Sequence, residues 1–368
     1  MPGALRHTAR TTRRAVLRGA GAMAAGMAIP SLIIPGVALP GTARAEQKFA
    51  GQRLTYCAWG GAYQDGQKKA YCDPFAAATG LTIDQDGPAD YAKIRLMVGS
   101  GQVVWDVVDV GSAFLYSATP QNMFEKLDFG VIDKSRIDPR YVTEHGVGDI
   151  VYSYNLAYST TAFPGDKHPS TWADMWDIKS FPGKRMLNAN AASTLEAALL
   201  ADGVPPAKLY PLDVPRALKK LDQIKDDILY WETNSQSQQM LVSGAATMGL
   251  INNGRVYDSV RKGAGLALSW DLAIQAVDYL VIPRGSKNVA AAMALIDYVT
   301  HPEPQAMFAN LMVFSPTNPD AFRLIDPKLT PWLATNPAYA ERSVLLDNDY
   351  WRDNLDPVTK QWNQWRLT

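Results

Sequence analysis

After residue 46, the chain alternates between short apolar runs and longer segments whose apolar residues recur at helical spacing. Short β-prone runs predict strands, and a 3.6-residue period predicts helices. Five segments follow in order: the strand RLTYCAW (53–59), the helix DGQKKAYCDPFAAATG (65–80), the strand LTIDQD (81–86), the helix YAKIRLMVGSG (91–101) and the strand WDVVDVGS (105–112). This alternation predicts βαβ units around a parallel sheet, which is an α/β fold.

A longer β-rich run, DIVYSYNLAYS (149–159), could carry the chain into a second domain. The segments beyond it alternate as well. They include STWADMWDIKSFPGKRML (170–187), the helices TLEAALLADG (194–203) and VPRALKKLDQIKDDI (214–228), and the strand-rich stretches MGLINNG (248–254) and AVDYLVIPRGSKN (276–288). Two α/β blocks predict two domains, and the roughly 320 residues that follow the N-terminal segment are enough for both.

The first 45 residues have the features of a targeting segment and are set apart from the fold. The twin arginine Arg13-Arg14 precedes an Ala/Gly-rich apolar run, and the small residues ARA (43–45) follow that run. This pattern resembles a twin-arginine (Tat) secretion signal that is cleaved after the triplet. The alternative is an uncleaved membrane anchor, against which Pro30 and Pro35 within the apolar run argue. We therefore expect an exported, periplasmic protein.

Removing the signal changes the charge balance. The segment holds six arginines and no acid, so the 36 basic and 36 acidic residues of the chain become 30 against 36, a net charge of about −6. That charge does not indicate a nucleic-acid partner. The two cysteines, Cys57 and Cys72, would enter an oxidising compartment, where a disulfide is chemically allowed. Two buried thiols are the alternative, and the sequence leaves both open.

The sequence contains no recognisable catalytic or metal-binding motif. The three histidines after the signal, His145, His168 and His301, lie far apart and have no neighbours at metal-ligand spacing. No GxSxG elbow, P-loop or GxGxxG after a strand is present. We therefore expect no enzyme, no metal and no cofactor.

Several motifs, in their order along the chain, resemble one family. They are WGGAY (59–63), WDVVDVGS (105–112), STWADMWDIKSFPGK (170–184), MGLINNGR (248–255), VDYLVIPRGSKN (277–288), FSPTN (314–318) and NDYWRDN (348–354). Together they resemble the spermidine/putrescine-type periplasmic solute-binding proteins of ABC importers (bacterial extracellular solute-binding family 1). The resemblance implies a type II periplasmic-binding-protein fold with two α/β lobes and the ligand in the cleft between them.

The resemblance also implies an organisation and a function. Residues 47–157 and 280–325 would form lobe 1, and residues 158–279 and 326–368 would form lobe 2. The protein would capture a small amine-containing solute and deliver it to an ABC permease in the inner membrane, as a monomer and without catalysis. The alternatives are a carrier of the same fold for an organic anion, a phosphonate or a metal, and, third, an exported enzyme.

Carried over residue by residue, the resemblance gives one side of the pocket. Trp59 matches an aromatic wall against the ligand, although a core tryptophan is the alternative. Gly60 keeps the neighbouring backbone open, and Tyr63 lies one register step from a family pocket tyrosine. Gly111 and Ser112 match a loop that offers backbone N–H groups to the ligand, unless they form a plain strand-to-helix turn.

The charged positions combine agreement with the family and departures from it. Asp278, in the apolar run AVDYLVIP, matches a carboxylate that holds a ligand amine, and a salt bridge is the alternative. Phe314 in FSPTN is also predicted to line the pocket. The departures are Asn188, Asn190 and Ser193 where polyamine binders have acids, Asn252 and Ala276 in place of two tryptophans, Arg255 after NNG, and Arg352 where a glutamine would match.

These departures predict a ligand shorter than a polyamine, or a zwitterion. A long dication needs an anion near each end, whereas arginine would repel an ammonium and bind a carboxylate. An ω-amino acid such as γ-aminobutyrate would place its amine at Asp278, its carboxylate at Arg255 or Arg352, and its methylenes against Trp59. The alternative is a polyamine ligand, with both arginines in salt bridges elsewhere.

Overall fold

The structure is a computed structural model in which residues 48–368 are described. The predicted Tat signal and its cleavage site lie outside the described residues. In the described part of the chain, no helix carries an apolar stretch long enough to cross a bilayer.

Strands and helices alternate along most of residues 48–368. The strands are β1 (Arg53–Cys57), β2 (Thr82–Asp86), β3 (Val107–Gly111), β4 (Gly146–Ser159), β5 (Arg185–Asn188), β6 (Ile228–Trp231), β7 (Met248–Asn252), β8 (Leu266–Leu268), β9 (Ile274–Val281), β10 (Ser315–Pro316) and β11 (Val344–Leu345). The α-helices are α1 (Gly61–Gln67), α2 (Asp73–Thr79), α3 (Tyr91–Ser100), α4 (Ser112–Ala118), α5 (Trp172–Trp176), α6 (Thr194–Ala201), α7 (Val214–Asp222), α8 (Asn234–Val242), α9 (Asn253–Arg261), α10 (Val289–Val299), α11 (Pro302–Met312) and α12 (Asn348–Arg366).

The helix predicted after the first strand contains a short π-helical turn. α1 continues through Lys68–Cys72 into α2, so the three segments form one helical run. The run ends at Gly80, as predicted. Gly80 adopts the left-handed conformation (φ 74°) and donates its N–H to the carbonyl of Ala76, which closes the helix in the usual glycine cap.

The principal strands form one sheet in the order β2-β1-β3-β9-β4-β7-β5-β6. β1 pairs in parallel with β2 and β3, and β5 pairs in parallel with β6 and β7, as the βαβ pattern predicts. β9 and β4 lie between these groups and run antiparallel to each other and to their outer neighbours. The predicted parallel sheet is therefore two parallel halves joined by an antiparallel centre.

β4 and β9 are the long strands of this centre, and each contributes to two separate apolar cores. In β4, Val147 and Ile150 are buried in the first core, whereas Leu156 is buried in the second. In β9, Ile274 belongs to the second core and Val281 to the first. The β-rich run predicted to carry the chain into a second domain thus lies within a strand that connects both cores.

The two cores collect different parts of the chain. The first takes most of its buried apolar side chains from residues 49–151 and 277–308, and the second takes them from residues 156–274 and 344–362. The exact lobe boundaries given above stay a prediction.

Cys57 and Cys72 are free thiols, so the disulfide does not form in the structure. Cys57 ends β1 and Cys72 ends the π-helical turn, and both side chains are buried in the first core. Burial raises the pKa of each thiol to about 12. Thiols that resist ionisation in apolar surroundings are unreactive, which agrees with the second alternative, two buried thiols.

Candidate functional site

Asp278 lies in β9 and is the centre of the candidate site. It pairs in register with Gly111 of β3 and with Ile150 of β4. Its side chain is 8% exposed, and its Oδ2 accepts a hydrogen bond of 3.1 Å from Nε1 of Trp59. Burial, followed by the charge of Asp109, raises the pKa of Asp278 well above its usual range. Within residues 48–368, no Lys, Arg or His is paired with this carboxylate.

Aromatic rings border Asp278 on the side of the first core. Trp59 is 37% exposed, and its ring meets the ring of Tyr91 edge to face, with centroids 5.9 Å apart. Tyr91 stacks on Phe114 at 3.8 Å, and its hydroxyl accepts the N–H of Gly111 at 3.1 Å. A Cβ added to Gly111 would lie 3.7 Å from Oδ1 of Asp278. We call Trp59, Tyr91, Gly111 and Asp278 the first-core wall.

Two glycines turn the chain directly after Trp59. Gly60 (φ 75°, ψ −179°) and Gly61 (φ 58°) adopt conformations that favour glycine. An added Cβ at either position would meet no atom within 4 Å, so backbone conformation is the reason for glycine here. The N–H of Gly60 donates to Oε1 of Gln64, which fixes the start of α1. The turn therefore ends β1 and leaves the indole of Trp59 beside Asp278.

Tyr63 and Phe314, both predicted to contact ligand, pack together in the structure. The hydroxyl of Tyr63 donates to Oδ2 of Asp109 at 2.8 Å. Its ring lies edge to face against Phe314, with centroids 5.2 Å apart, and against Phe308 at 5.4 Å. Tyr63 is thus connected to the candidate site through Asp109, whose charge acts on Asp278.

The side of the site formed by the second core is also aromatic. Residues two apart on a strand share a face, so Ala276 and Ile274 lie on the same sheet face as Asp278. Their register partners in β4 are Tyr152 and Tyr154.

Tyr152 and Tyr154 connect Asp278 with the second core. Their rings are 5.8 Å apart, and Tyr154 lies 6.3 Å from Trp231. Asn252, in place of a family tryptophan, is the partner of Tyr154 in β7. Tyr152 is paired across the sheet with Ala276, and Tyr154 is paired with Asn252. The two tyrosines therefore supply aromatic surface beside the positions where the family has tryptophans.

Asn252 and Arg255 follow β7 at the start of α9. The side chain of Asn252 accepts the N–H of Gly254 at 2.9 Å and caps the helix. Arg255 is half-buried in the first turn. Asp258 of the same helix pairs with Arg261 and Lys262, whereas Arg255 has no ion-pair partner among the described residues. We call Tyr154, Trp231, Asn252 and Arg255 the second-core wall.

Arg352 and Ser112, both predicted to contact ligand, differ in their surroundings: Arg352 is exposed and Ser112 is buried. Arg352 is exposed on α12 and pairs with Asp349 and with Asp353. It lines a separate cavity of about 180 Å³ with residues that include His145. Ser112 is buried as the first residue of α4, directly after Gly111. The structure therefore brings Trp59, Gly111 and Asp278 together, and it engages Arg352 with acids of its own helix.

Sequence reasoning missed part of this arrangement. The residues that it did not identify are Tyr91, Asp109, Asp149, Tyr152, Tyr154 and Trp231. Alternation along YSYNLAY would have placed Tyr152 and Tyr154 on one face. No local pattern singles out Asp109, Asp149 or Tyr91, because their contacts are formed between distant segments.

Among residues 48–368, no group of three or more His, Cys, Asp or Glu side chains has an arrangement that could hold a metal ion.

Known proteins share this architecture over most of the chain. A family model described as bacterial extracellular solute-binding protein matches residues 70–341. A gamma-aminobutyric acid-binding protein from Pseudomonas aeruginosa is 34% identical over 323 residues, covering 85% of this chain and 91% of that protein. A spermidine/putrescine-binding periplasmic protein from Escherichia coli is 20% identical over 306 residues, covering 80% and 85%. The solved structure of the Atu4243-GABA receptor is 41% identical, with a TM-score of 0.79, and covers 86% of this chain and 98% of that chain.

The fold and these similarities define the class as two-lobed α/β binding proteins, whose ligand cleft lies between the lobes. The chain belongs to the bacterial extracellular solute-binding protein family. The resemblance identified from the sequence is therefore confirmed.

Proposed function

We propose that the protein captures a small solute with a protonated amine and that Asp278 holds this amine. The observation that carries the proposal is the Asp278 carboxylate, which is buried beside Trp59 without a cationic partner among residues 48–368. A buried charge needs compensation, and a ligand ammonium would supply it. The ammonium would also favour the ionised form of Asp278, whose pKa burial raises in the free protein.

The aromatic rings support the same ligand class. Trp59 and Tyr91 stand beside the carboxylate, and Trp59 is exposed enough to be touched. An alkylammonium against the face of a tryptophan gains roughly 0.5–2 kcal/mol, depending on desolvation. The same faces would cover the methylenes next to the amine. The first-core wall thus suits a cation with a short apolar chain.

Within the amines, the second-core wall favours an ω-amino acid of the γ-aminobutyrate type. Arg255 is a half-buried guanidinium without an ion-pair partner among the described residues, and a carboxylate is the group that guanidinium binds best. Two of the relatives described above are named for γ-aminobutyrate. A ligand between the two walls would then have its amine at Asp278 and its carboxylate at Arg255.

A polyamine fits this arrangement less well, because it needs a second anion. Glu196 is the acid nearest to the stretch in which polyamine binders have theirs. Here its carboxylate is fully buried and accepts hydrogen bonds from Tyr210 at 2.7 Å and from Trp351 at 2.8 Å. Asn188 and Ser193 earlier in the stretch carry no charge. The protein thus lacks a clear partner there for a second ammonium.

The proposed role is capture and delivery. A ligand that contacts both walls favours the closed arrangement of the lobes, because it interacts with both sides only when they approach. We propose that the chain is exported through the Tat pathway, acts as a monomer in the periplasm, and presents the closed form to an ABC permease.

Titration calorimetry of the purified protein tests the ligand class directly. We expect binding heat with γ-aminobutyrate and little or none with putrescine and spermidine. Heat with spermidine and none with γ-aminobutyrate would contradict the zwitterion proposal while leaving an amine site at Asp278. If none of the three binds, Asp278 does not hold an amine of this kind.

A further inference from the structure

Two buried acids lie next to the amine site. Asp109 of β3 and Asp149 of β4 are 0% and 1% exposed. Nε2 of Gln67 donates to Oδ2 of Asp109 at 2.7 Å and to Oδ2 of Asp149 at 2.9 Å, so one amide group bridges the two carboxyl groups. Tyr63 adds one more hydrogen bond, to Asp109. Over residues 48–368, no cationic side chain pairs with either acid.

Polar atoms without partners surround this bridge. The second oxygens of both acids, Oδ1, are buried and accept no hydrogen bond in the described structure, and Oε1 of Gln67 is in the same state. The hydroxyls of Tyr56 and Tyr71 are also buried and have no hydrogen-bond partner in the described structure. The charges of both acids contribute to raising the pKa of each of these hydroxyls. Buried polar groups of native proteins are nearly always paired, so the acids need hydrogens that these side chains do not provide in the arrangement seen.

Asp106, three residues before Asp109, is a buried aspartate whose two carboxyl oxygens both accept hydrogen bonds. Its Oδ2 accepts from the N–H of Thr55 at 2.8 Å and from Asn288 at 3.1 Å, and its Oδ1 accepts from Ser286 at 2.6 Å. Both oxygens of Asp106 therefore have hydrogen-bond donors. Asp109 and Asp149 lack such donors on Oδ1, which is where a carboxylic acid would carry its own proton.

We propose that the Asp109–Asp149 pair holds a proton at neutral pH and releases it when a cation binds at Asp278, so that amine affinity rises with pH. The coupling rests on the proposed function, whereas the stored proton does not. The bound ammonium would stabilise the negative charge that is left when the pair gives up its proton to solvent. Coupling between two binding events is reciprocal, so removal of the proton must strengthen amine binding by the same factor.

The electrostatics agree with this geometry. Burial raises the pKa of Asp109 to about 6, while burial and then the charge of Asp109 raise the pKa of Asp149 well above its usual range. The other titratable groups that face the pair are Asp278, the thiol of Cys57, whose pKa burial raises to about 12, and the phenols of Tyr56, Tyr63, Tyr71 and Tyr91. Burial raises the pKa of each phenol, so the phenols stay neutral near pH 7. This leaves the carboxyl groups of Asp109, Asp149 and Asp278, whose pKa values burial raises, as the groups of this cluster that can exchange a proton when a ligand binds.

Infrared spectroscopy of the ligand-free protein tests the stored proton. We expect the carbonyl stretch of a protonated carboxylic acid at pH 7, and we expect Asp149→Asn to reduce it. Asp109→Asn is a second variant if the first does not fold. Asp106→Asn, a buried aspartate with donors on both oxygens, is the matched control and should keep the band. A wild-type spectrum without the band at pH 7 refutes the proposal, whatever the ligand is.

Calorimetry in buffers of different ionisation enthalpy tests the coupling, with γ-aminobutyrate, putrescine and spermidine as probes. We expect release of a fraction of a proton on binding to wild type and a smaller release in Asp149→Asn. Because Asp278 can itself release a proton on amine binding, the coupling to the pair is refuted if binding releases no proton or if Asp149→Asn releases as much as wild type. If the band is present and none of the three probes binds, the stored proton is supported, whereas the proposed function and the coupling are both refuted.

Discussion

The two walls of the candidate site carry opposite charges. The first-core wall presents Asp278, with Asp109 close enough to influence its ionisation, and Trp59 is its hydrogen-bond donor. The second-core wall presents Arg255 and the neutral Asn252. In the proposed binding mode, a ligand held between them would meet an anion on one side and a cation on the other. This arrangement would favour a zwitterion over a dication, which would find its second charge partner missing.

The walls also differ in how deeply their unpaired charged side chains are buried. Within the described structure, both Asp278 and Arg255 lack an ion-pair partner, but Asp278 is nearly buried and Arg255 only half-buried. Desolvation disfavours an unpaired charge most strongly where burial is greatest. The acidic wall therefore gains more from a ligand than the basic wall, and changes there should have the larger effects.

Replacing Asp278 by Asn is expected to have the largest effect on binding. The change keeps the shape of the side chain and removes the charge that would face the amine. Loss of one partner of a desolvated charge pair costs about 2–5 kcal/mol, so γ-aminobutyrate affinity should fall by at least roughly 30-fold in calorimetry. The ligand-free variant should melt at or above the wild-type temperature, because a carboxyl group whose ionised form is disfavoured by burial is gone.

Asp84→Asn is the control for that experiment. The side chain of Asp84 is 43% exposed and accepts hydrogen bonds from Arg53 at 2.6 Å and 3.0 Å, on β2 away from Asp278. Exposed pairs contribute roughly 0–1 kcal/mol to stability, and we expect no change in ligand affinity. Equal affinities of Asp278→Asn and wild type would remove the basis for an acidic wall.

The next effect concerns stability and pH. Asp109 has a folded-state pKa of about 6 against an ordinary value of 3.8. Between these values the folded protein binds more protons than the unfolded chain, so this group lowers stability as pH rises from about 4 to 6. Asp109→Asn removes this loss, so its stability relative to wild type should increase between pH 4 and pH 7.

Urea denaturation at several pH values measures this relation. Asp106→Asn is the comparison, because Asp106 is also buried but has hydrogen-bond donors on both oxygens. Asp106→Asn leaves the Asp109–Asp149 pair in place, so the gain in stability with pH is expected in Asp109→Asn and not in this comparison variant. Parallel curves for wild type and Asp109→Asn across pH 4–7 would contradict a protonated acid beneath the first-core wall.

Arg255→Gln tests the second-core wall. If Arg255 binds the ligand carboxylate, the variant should lose roughly tenfold to hundredfold in γ-aminobutyrate affinity, the range for a hydrogen bond to a charged group. A plain alkylamine, which has no carboxylate, should bind the variant and wild type alike. Arg352→Gln is the matched control, because Arg352 is already paired with Asp349 and Asp353. A larger loss in Arg352→Gln than in Arg255→Gln would transfer the carboxylate site to α12.

The sequence was sufficient for the α/β fold class because the signals for this class are local. The alternation of apolar runs and helical periods indicates βα units, and the helix stop at Gly80 matches the structure. The antiparallel centre formed by β4 and β9 was not foreseen, since strand direction depends on how distant segments meet. The same limit applies to the Asp109–Asp149 pair, whose members are 40 residues apart and are joined by Gln67 from a third segment.

The site was predictable only as far as the family resemblance reached. It placed Trp59 and Asp278 in one pocket although 219 residues separate them, and the structure joins them by a hydrogen bond. It could not show that the hydroxyl of Tyr63 is bonded to Asp109. Nor could it distinguish Arg255 from Arg352, because the acids that pair with Arg352 become its partners only when α12 forms.

The smallest effect concerns the turn that positions Trp59 in the first-core wall. At φ 75° and ψ −179°, Gly60 occupies a region that is nearly restricted to glycine, so Gly60→Ala should cost about 1–2 kcal/mol of stability. It should also weaken γ-aminobutyrate binding a few-fold, since the strain is relieved by moving the neighbouring indole. Gly99→Ala is the control: Gly99 is helical in α3, with no atom within 4 Å of an added Cβ, and the change should be neutral or stabilising. Equal stability and affinity in both variants would mean that the turn does not position Trp59 in the first-core wall.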